Sequence, residues 1–278
     1  MQVRRAWLLS LMVAFSLAAA CRAQGPTPLR AELQRRDRFR VVDILVFRNR
    51  PKLTDFSMLA GYGSGAFWSS GHPEDGLDEV AFRREIARYK DFPGVFYIDI
   101  ENWPTCYAPA AVIEQSMAKF ARVIALVREI APRLTFGIYN EIPAFGYWPI
   151  VGSDKGRLEE WKACNQRMAT LASGVDLIFP SLYTFYDDEA GWDAYAKATL
   201  EAAKQYGKPV YAFLWPEYHE SNPVLGGKSI PGRVWRHELE IVRQHADGVV
   251  LWSGLNRQWD GNADWWRETR SFVQSLPP

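Results

Sequence analysis

The chain has 278 residues, 48% of them hydrophobic, enough to bury one large core or two small ones. Its 33 Lys and Arg against 32 Asp and Glu give a formal charge of +1, which excludes both the basic field of a nucleic-acid binder and the charge excess of a disordered chain. Aromatic residues make up 14%, with 12 tryptophans. Such rings fill cores, and they also serve clefts that stack on the apolar faces of sugars.

Residues 1–21 read as an export signal, because Arg4-Arg5 precedes the apolar run Ala6 to Ala20, too short to span a bilayer. A secreted or periplasmic protein follows from that. Ala18-Ala19-Ala20-Cys21 suits either ordinary cleavage after small residues or a lipoprotein site in which Cys21 becomes the lipidated N-terminus. The missing Leu three residues before Cys21 weighs against the lipid. Cleavage also removes Arg4 and Arg5, leaving no general attraction to anionic surfaces. Cys106 and Cys164 then remain, a number that suits one disulfide outside the cytosol, although spacing alone does not bring two sulfurs together.

From Val41 onward, β-branched and aromatic runs alternate with helical patterns, the order of a parallel sheet with crossover helices. The strand candidates are Val41 to Phe47, Gly65 to Ser69, Val95 to Glu101, Leu134 to Tyr139, Leu177 to Tyr183, Val210 to Trp215 and Val249 to Trp252. Between the third and fourth, Ile113, Met117, Phe120, Ile124 and Val127 mark one apolar helix face. Asp187 and Asp188 are placed to cap a helix carrying Trp192 and Tyr195 that ends at Gly207, and Pro231 opens another with Trp235, Leu239 and Val242. No linker or repeat interrupts residues 38–276. The expectation is therefore one α/β domain, a seven-stranded (β/α) TIM-like barrel.

The third strand is the informative one. Alternate residues of a strand face opposite sides, so Phe96, Ile98 and Ile100 share an apolar face while Tyr97, Asp99 and Glu101 share the other. Two carboxylates at the carboxyl end of a parallel strand lie where such barrels keep their catalytic groups. Burying both as anions costs several kcal/mol unless they ionise differently or meet a ligand. A salt-bridged pair at a loop mouth is the plain alternative. Residues i and i+2 of one strand sit roughly 6.5–7 Å apart at Cα, and such a pair does not straddle a sugar ring as acid and nucleophile do. It fits a substrate-assisted route, in which an N-acetyl oxygen attacks C1, Asp99 orients the acetamido group and Glu101, nearer the rim, is the protonated acid.

Phe92 to Pro104, with the helix Leu77 to Tyr89 before it, resembles the Asp-Trp-Glu strand of the hyaluronidases of glycoside hydrolase family 56. Further segments resemble that family's in order: Phe136-Gly137-Ile138-Tyr139-Asn140, Leu177-Ile178-Phe179-Pro180-Ser181-Leu182-Tyr183, Pro209-Val210-Tyr211-Ala212-Phe213 and Gly248-Val249-Val250-Leu251-Trp252. The resemblance implies a seven-stranded barrel and an endo-acting β-N-acetylhexosaminidase for a hyaluronan- or chondroitin-like polysaccharide. It implies Glu101 as acid/base, Asp99 as acetamido-orienting group, Tyr139 and Tyr183 as hydrogen-bonding partners of the N-acetyl site and Trp252 as part of the pocket wall; Trp215 and Tyr211 are further candidate substrate-binding residues. Ile100 stands where the family has Trp, and Ser69-Ser70-Gly71-His72-Pro73 lacks the family's Asn-Arg-Leu-Gly pattern, departures that bear on the polysaccharide more than on the chemistry. Hyaluronan is a polyanion and calls for a basic cleft; Arg48, Arg50 and Lys52 are candidates for that role, or a solvated loop.

Two rival readings stay open at this stage. Asn140-Glu141 resembles the acid/base dipeptide of other barrel glycosidases, with Glu217 as nucleophile, although Val249 to Gly254 offers no late-strand carboxylate. Alternatively, Tyr183, Trp215 and Trp252 stack on glycans in a barrel that only binds them. No cofactor or metal is expected: Gly61-Tyr62-Gly63-Ser64-Gly65 lacks the lysine of a phosphate loop, and His219 and Glu220 near Glu217 read as loop residues without metal-ligand spacing.

Overall fold

Strand parity organises this molecule, since alternate residues of each strand go either to the helices or to the interior of a curved sheet. The structure, a computed structural model, describes residues 28–35, 38–53, 56, 59–63, 76–254 and 257–277. In chain order its elements are α1 (Pro28–Arg35), β1 (Arg40–Ile44), β2 (Leu59–Gly63), α2 (Glu79–Ala87), β3 (Val95–Asp99), α3 (Ala110–Ile130) and β4 (Thr135–Ile138). There follow α4 (Tyr147–Val151), α5 (Lys155–Gly174), α6 (Glu189–Lys204), β5 (Tyr211–Leu214), α7 (Gly232–His245), β6 (Gly248–Trp252) and α8 (Asp264–Gln274). The export signal and Cys21 lie outside the described residues. None of the described helices is long and apolar enough to cross a membrane.

Two parallel sheets form, ordered β2-β3-β4 and β1-β6-β5. Residues 177–181 join them: Phe179 bridges Tyr139 of the chain leaving β4, while Ile178 and Ser181 bridge Val210 and Phe213 at β5, all in parallel. The fold is thus α/β, an arc of consecutive parallel segments. Of the expected seven-stranded barrel, the described residues show this arc. Pro180 has no N–H to give, so the fifth expected strand is a set of isolated bridges rather than a ladder. Among the described residues β1 and β2 form no ladder that would close the arc. The expected strand Gly65 to Ser69 lies outside the described residues, and the strand beside β3 is Leu59–Gly63. It has no β-branched residue, which hid it, and Gly61 is what lets the Tyr97 ring lie against it, because any Cβ there would collide with that ring.

Parity then splits the core. Phe96, Ile98, Ile100, Phe136, Ile138, Ala212, Leu214, Val249 and Leu251 face the helices and are fully buried with Phe120, Val127, Trp235 and Leu239. Their neighbours Val42, Val95, Tyr139, Leu177, Phe179, Phe213 and Val250 fill the inside of the arc. Leu33 of α1 closes that interior from the amino-terminal ends of the strands, held there by Arg30, whose Nε lies 3.1 Å from Asp176 and whose Nη2 donates to the Leu134 carbonyl at 2.6 Å. Among the described residues a cleft opens at the carboxyl-terminal end of the strands.

The helices begin where the sequence marks them. Asp78 accepts from the Val80 and Ala81 amides at 3.0 Å, and Asp188 from Gly191 at 2.9 Å, each satisfying N–H groups a first turn leaves unpaired. Asp187 does not cap; it accepts from the Tyr218 hydroxyl at 3.2 Å. Cys106, in the loop after β3, forms a disulfide with Cys164 of α5 across a Cα separation of 5.7 Å. The bond fixes the loop that begins at Glu101, and it is compatible with an extracellular or periplasmic protein.

Candidate active site

β3 delivers Tyr97 and Asp99 to the inside of the arc, and Glu101 follows at its open end. Asp99 donates a hydrogen bond to Glu101. Two carboxyl groups make such a bond only when one keeps a proton. Burial, reinforced by the charge of Glu101, pushes Asp99 up to about 7. Burial also raises Glu101, against the bond it accepts from Asp99. The pair therefore holds one proton near neutrality. The sequence reading put that proton on Glu101; depth reverses the preference, because Asp99 is half-buried while Glu101 is exposed at the rim.

Above the pair lies a cleft of about 410 Å³. On one side the Tyr139 hydroxyl accepts hydrogen bonds from Ser181 and Tyr183, and burial drives both phenols well above their usual range, so both stay protonated. Burial and the charge of Asp99 push Tyr97 up to about 12. On the other side Trp215 and Trp252 meet edge to face at 4.6 Å, and Tyr183 lies 5.5 and 5.6 Å from them. This is an apolar wall of ring faces with phenol groups beside it, the Trp215 indole N–H being buried toward Glu217, and it suits a pyranose ring.

Of the residues the sequence singled out, Asp99, Glu101, Tyr139, Tyr183, Trp215 and Trp252 line this one cleft. Tyr211 does not. It shares parity with Phe213 and Trp215 but begins the strand, so its ring lies at the closed end, 6.5 Å from Phe179 and within the fields of Arg40, Asp247 and Glu32. Its side chain is packed in the interior and does not line the cleft. The rival carboxylates are also off the cleft. Glu141 accepts from the Thr105 hydroxyl at 2.8 Å and is pushed up to about 8, chiefly by burial, although the charges of Glu101 and Asp99 reach it. Glu217 is buried and sits 3.5 Å from the Arg257 guanidinium. Arg50 is bound to Asp43, and neither it nor Arg48 nor Lys52 lines the cleft.

Sequence reasoning missed several lining residues. His219, read as a loop residue, is half-buried among aromatic rings, stacked on Tyr183 at 6.1 Å and 4.6 Å from Phe185, with Nδ1 2.8 Å from the Ser221 hydroxyl. Asn140, with a positive φ of 56°, Phe145, Phe185 and Glu220 also line the cleft. They belong to irregular segments, where neither periodicity nor parity gives a signal; Ser181 could have been found by parity with Tyr183. Among the described residues no group of three or more His, Cys, Asp or Glu is placed to hold a metal ion.

No protein-family model matches the chain, and no curated protein matches it. Solved structures do. Bee venom hyaluronidase superposes with a TM-score of 0.55 at 16% identity, over 79% of this chain and 85% of that one. The same enzyme in complex with a hyaluronic acid tetramer gives a TM-score of 0.56 at 15% identity, over 86% and 97%. At such identity the likeness is one of fold, and it spans nearly the whole of the bee protein.

Proposed function

We propose that this protein is a glycoside hydrolase that cleaves N-acetylhexosamine-containing polysaccharide by a substrate-assisted, retaining mechanism, exported to the periplasm or the outside of the cell. The observation that carries the reading is the hydrogen-bonded pair Asp99–Glu101, the last residue of β3 and the second one beyond it, lining an aromatic-walled cleft. The fold shared with bee venom hyaluronidase, one structure of which holds a hyaluronic acid tetramer, supports it. A barrel that only binds glycans needs the aromatic walls but no carboxyl pair that shares a proton.

In the free protein the proton lies toward Asp99. A bound acetamido N–H donates to Asp99 and so favours its anion, which passes the proton to Glu101. Glu101 then protonates the glycosidic oxygen as the C1–O bond breaks, and the acetamido oxygen attacks C1 to give a cyclic oxazolinium ion. Asp99 balances the positive charge on that ring, and the Tyr183 hydroxyl, which in the free protein donates to Tyr139, turns to the acetamido oxygen. In the second half Glu101, now an anion, takes a proton from water as that water opens the ring at C1. No ester to the protein forms at any stage.

The test is turnover of a panel of N-acetylated glycans together with inhibition by a thiazoline analogue of the cyclised sugar. Competitive inhibition and loss of turnover in Glu101→Gln are the expected results; a glycosyl ester trapped on any carboxylate by a fluorosugar overturns the mechanism.

A further inference from the structure

Among the described residues the cleft is lined by the carboxyl groups of Asp99, Glu101 and Glu220 and by no Lys or Arg. Burial holds His219 below the usual imidazole range, so the remaining basic group in the wall is neutral at pH 7. Three cations outside the cleft are ion-paired: Arg50 with Asp43, Arg257 with Glu217 and Arg233 with Glu189. The sequence between β1 and α2 that lies outside the described residues, 54–55, 57–58 and 64–75, contains no Lys or Arg, nor do residues 255–256.

The outward continuation of the aromatic wall has the same sign. Phe145 and Phe185 lie 5.5 Å apart in the cleft, Tyr147 is 6.1 Å from Phe185, and Trp148 and Tyr186 meet at 5.2 Å beyond it. Trp148 is 56% exposed, a ring face open to solvent. Its flank is acidic, since Asp187 and Asp188 follow Tyr186 directly and the charge of Asp188 is felt at the Tyr147 hydroxyl.

A glycan with one carboxylate per disaccharide places like charges against this surface within a Debye length of about 8 Å, and like-charge juxtaposition is how interfaces reject a wrong partner. Stacking on Trp215, Trp252 and Trp148 needs only the apolar face of the sugar. On the strength of the glycosidase reading above, we propose that the substrate is an N-acetylhexosamine polymer without uronic acids, uncharged or bearing free amines, and that polyanions such as hyaluronan are discriminated against. The sequence-derived expectation of a basic cleft is thereby reversed.

Hyaluronan and carboxyl-reduced hyaluronan share backbone and linkages and differ in charge, so they isolate the effect; chitin oligomers and partly deacetylated chitin oligomers extend it. At low salt kcat/KM is expected to be at least about tenfold higher for the carboxyl-reduced polymer, or for the chitin series, than for hyaluronan, with the gap narrowing at high salt. Glu220→Lys is expected to narrow the gap about threefold at low salt and less at high salt. Hyaluronan cut as fast as or faster than its reduced form overturns the proposal and leaves the glycosidase reading standing. Absence of turnover on every N-acetylated glycan removes the glycosidase reading and this proposal with it.

Discussion

Asp99 and Glu101 at the end of β3, and Glu238 in the middle of α7, are carboxyl groups that burial pushes toward the protonated form, yet their surroundings differ in one decisive respect. Glu238 is 1% exposed, accepts one hydrogen bond from the Thr184 hydroxyl at 2.6 Å and is pushed up to about 8. It ties α7 to the loop that follows Tyr183. The β3 pair opens on a cleft large enough for a sugar, while the space beside Glu238 holds about 10 Å³, roughly one water. A shifted pKa is common to both sites; access for a reacting atom belongs to one. Catalysis needs the second property, and structure needs only that the buried group stay neutral.

The largest effects should come from the open pair. Glu101→Gln keeps shape and loses the proton, and is expected to lower kcat by about a thousandfold or more; Asp99→Asn, which loses an oriented charge beside a developing cation, should cost about a hundredfold. Steady-state rates on one N-acetylated polymer check both, and full activity in Glu101→Gln dissolves the distinction between the two regions. Because the pair must hold one proton, kcat/KM should fall as pH rises through about 7, the position of Asp99, and a profile flat to pH 9 would mean that the proton is not needed. Tyr183→Phe comes next. About a tenfold loss is expected, mostly in kcat, since its hydroxyl helps most as the acetamido oxygen attacks. An equal rise in KM with kcat unchanged would return Tyr183 to packing.

Much of the open site could be read from the sequence because parity carried it. Tyr97, Asp99 and Glu101 alternate with Phe96, Ile98 and Ile100, and no other strand candidate places two carboxylates on one face. The same parity, applied to the later strands, groups Tyr183 with Ser181 and Trp215 with Phe213. It does not place Tyr211, because parity says which side a residue faces and nothing of its height along the strand. Distance along the chain from the open end, four residues back from Trp215, was the missing information. His219, Phe145 and Phe185 were out of reach for another reason: long-range packing of loops, not local periodicity, brings them to the cleft. The Leu59–Gly63 strand was missed because Gly61 serves the ring of Tyr97, a tertiary requirement that lowers local β propensity. The closed end of the site, by contrast, depends on Leu33 and Arg30 of α1, which sequence patterning left outside the domain.

Glu141 stands between the two regions and sharpens the contrast. It feels the charges of Asp99 and Glu101 but is turned away to Thr105. Glu141→Gln keeps an acceptor for that hydroxyl, so activity should stay within about threefold of the wild type. A loss comparable to that of Glu101→Gln would move the catalytic acid to Glu141 and restore the two-carboxylate reading.

The smallest effect on activity is expected at Glu238, and its effect on stability has a definite sign. Its pKa in the fold, about 8, exceeds that of an unfolded glutamate, about 4.3, so between these values the unfolded chain binds fewer protons than the folded one. Stability then falls as pH rises through that window, opposite to the behaviour of a salt-bridged carboxylate. Glu238→Gln keeps the acceptor for Thr184 and has nothing to ionise. Its melting temperature should therefore match the wild type near pH 5 and exceed it by about 4 °C or more at pH 8.5. Turnover at the β3 pair should change by less than about twofold, because Thr184 stays anchored. Equal melting curves at pH 8.5 would show that Glu238 is ionised and solvated in the fold. Lost turnover with an unchanged melting temperature would show that the sealed carboxyl group acts in the chemistry after all.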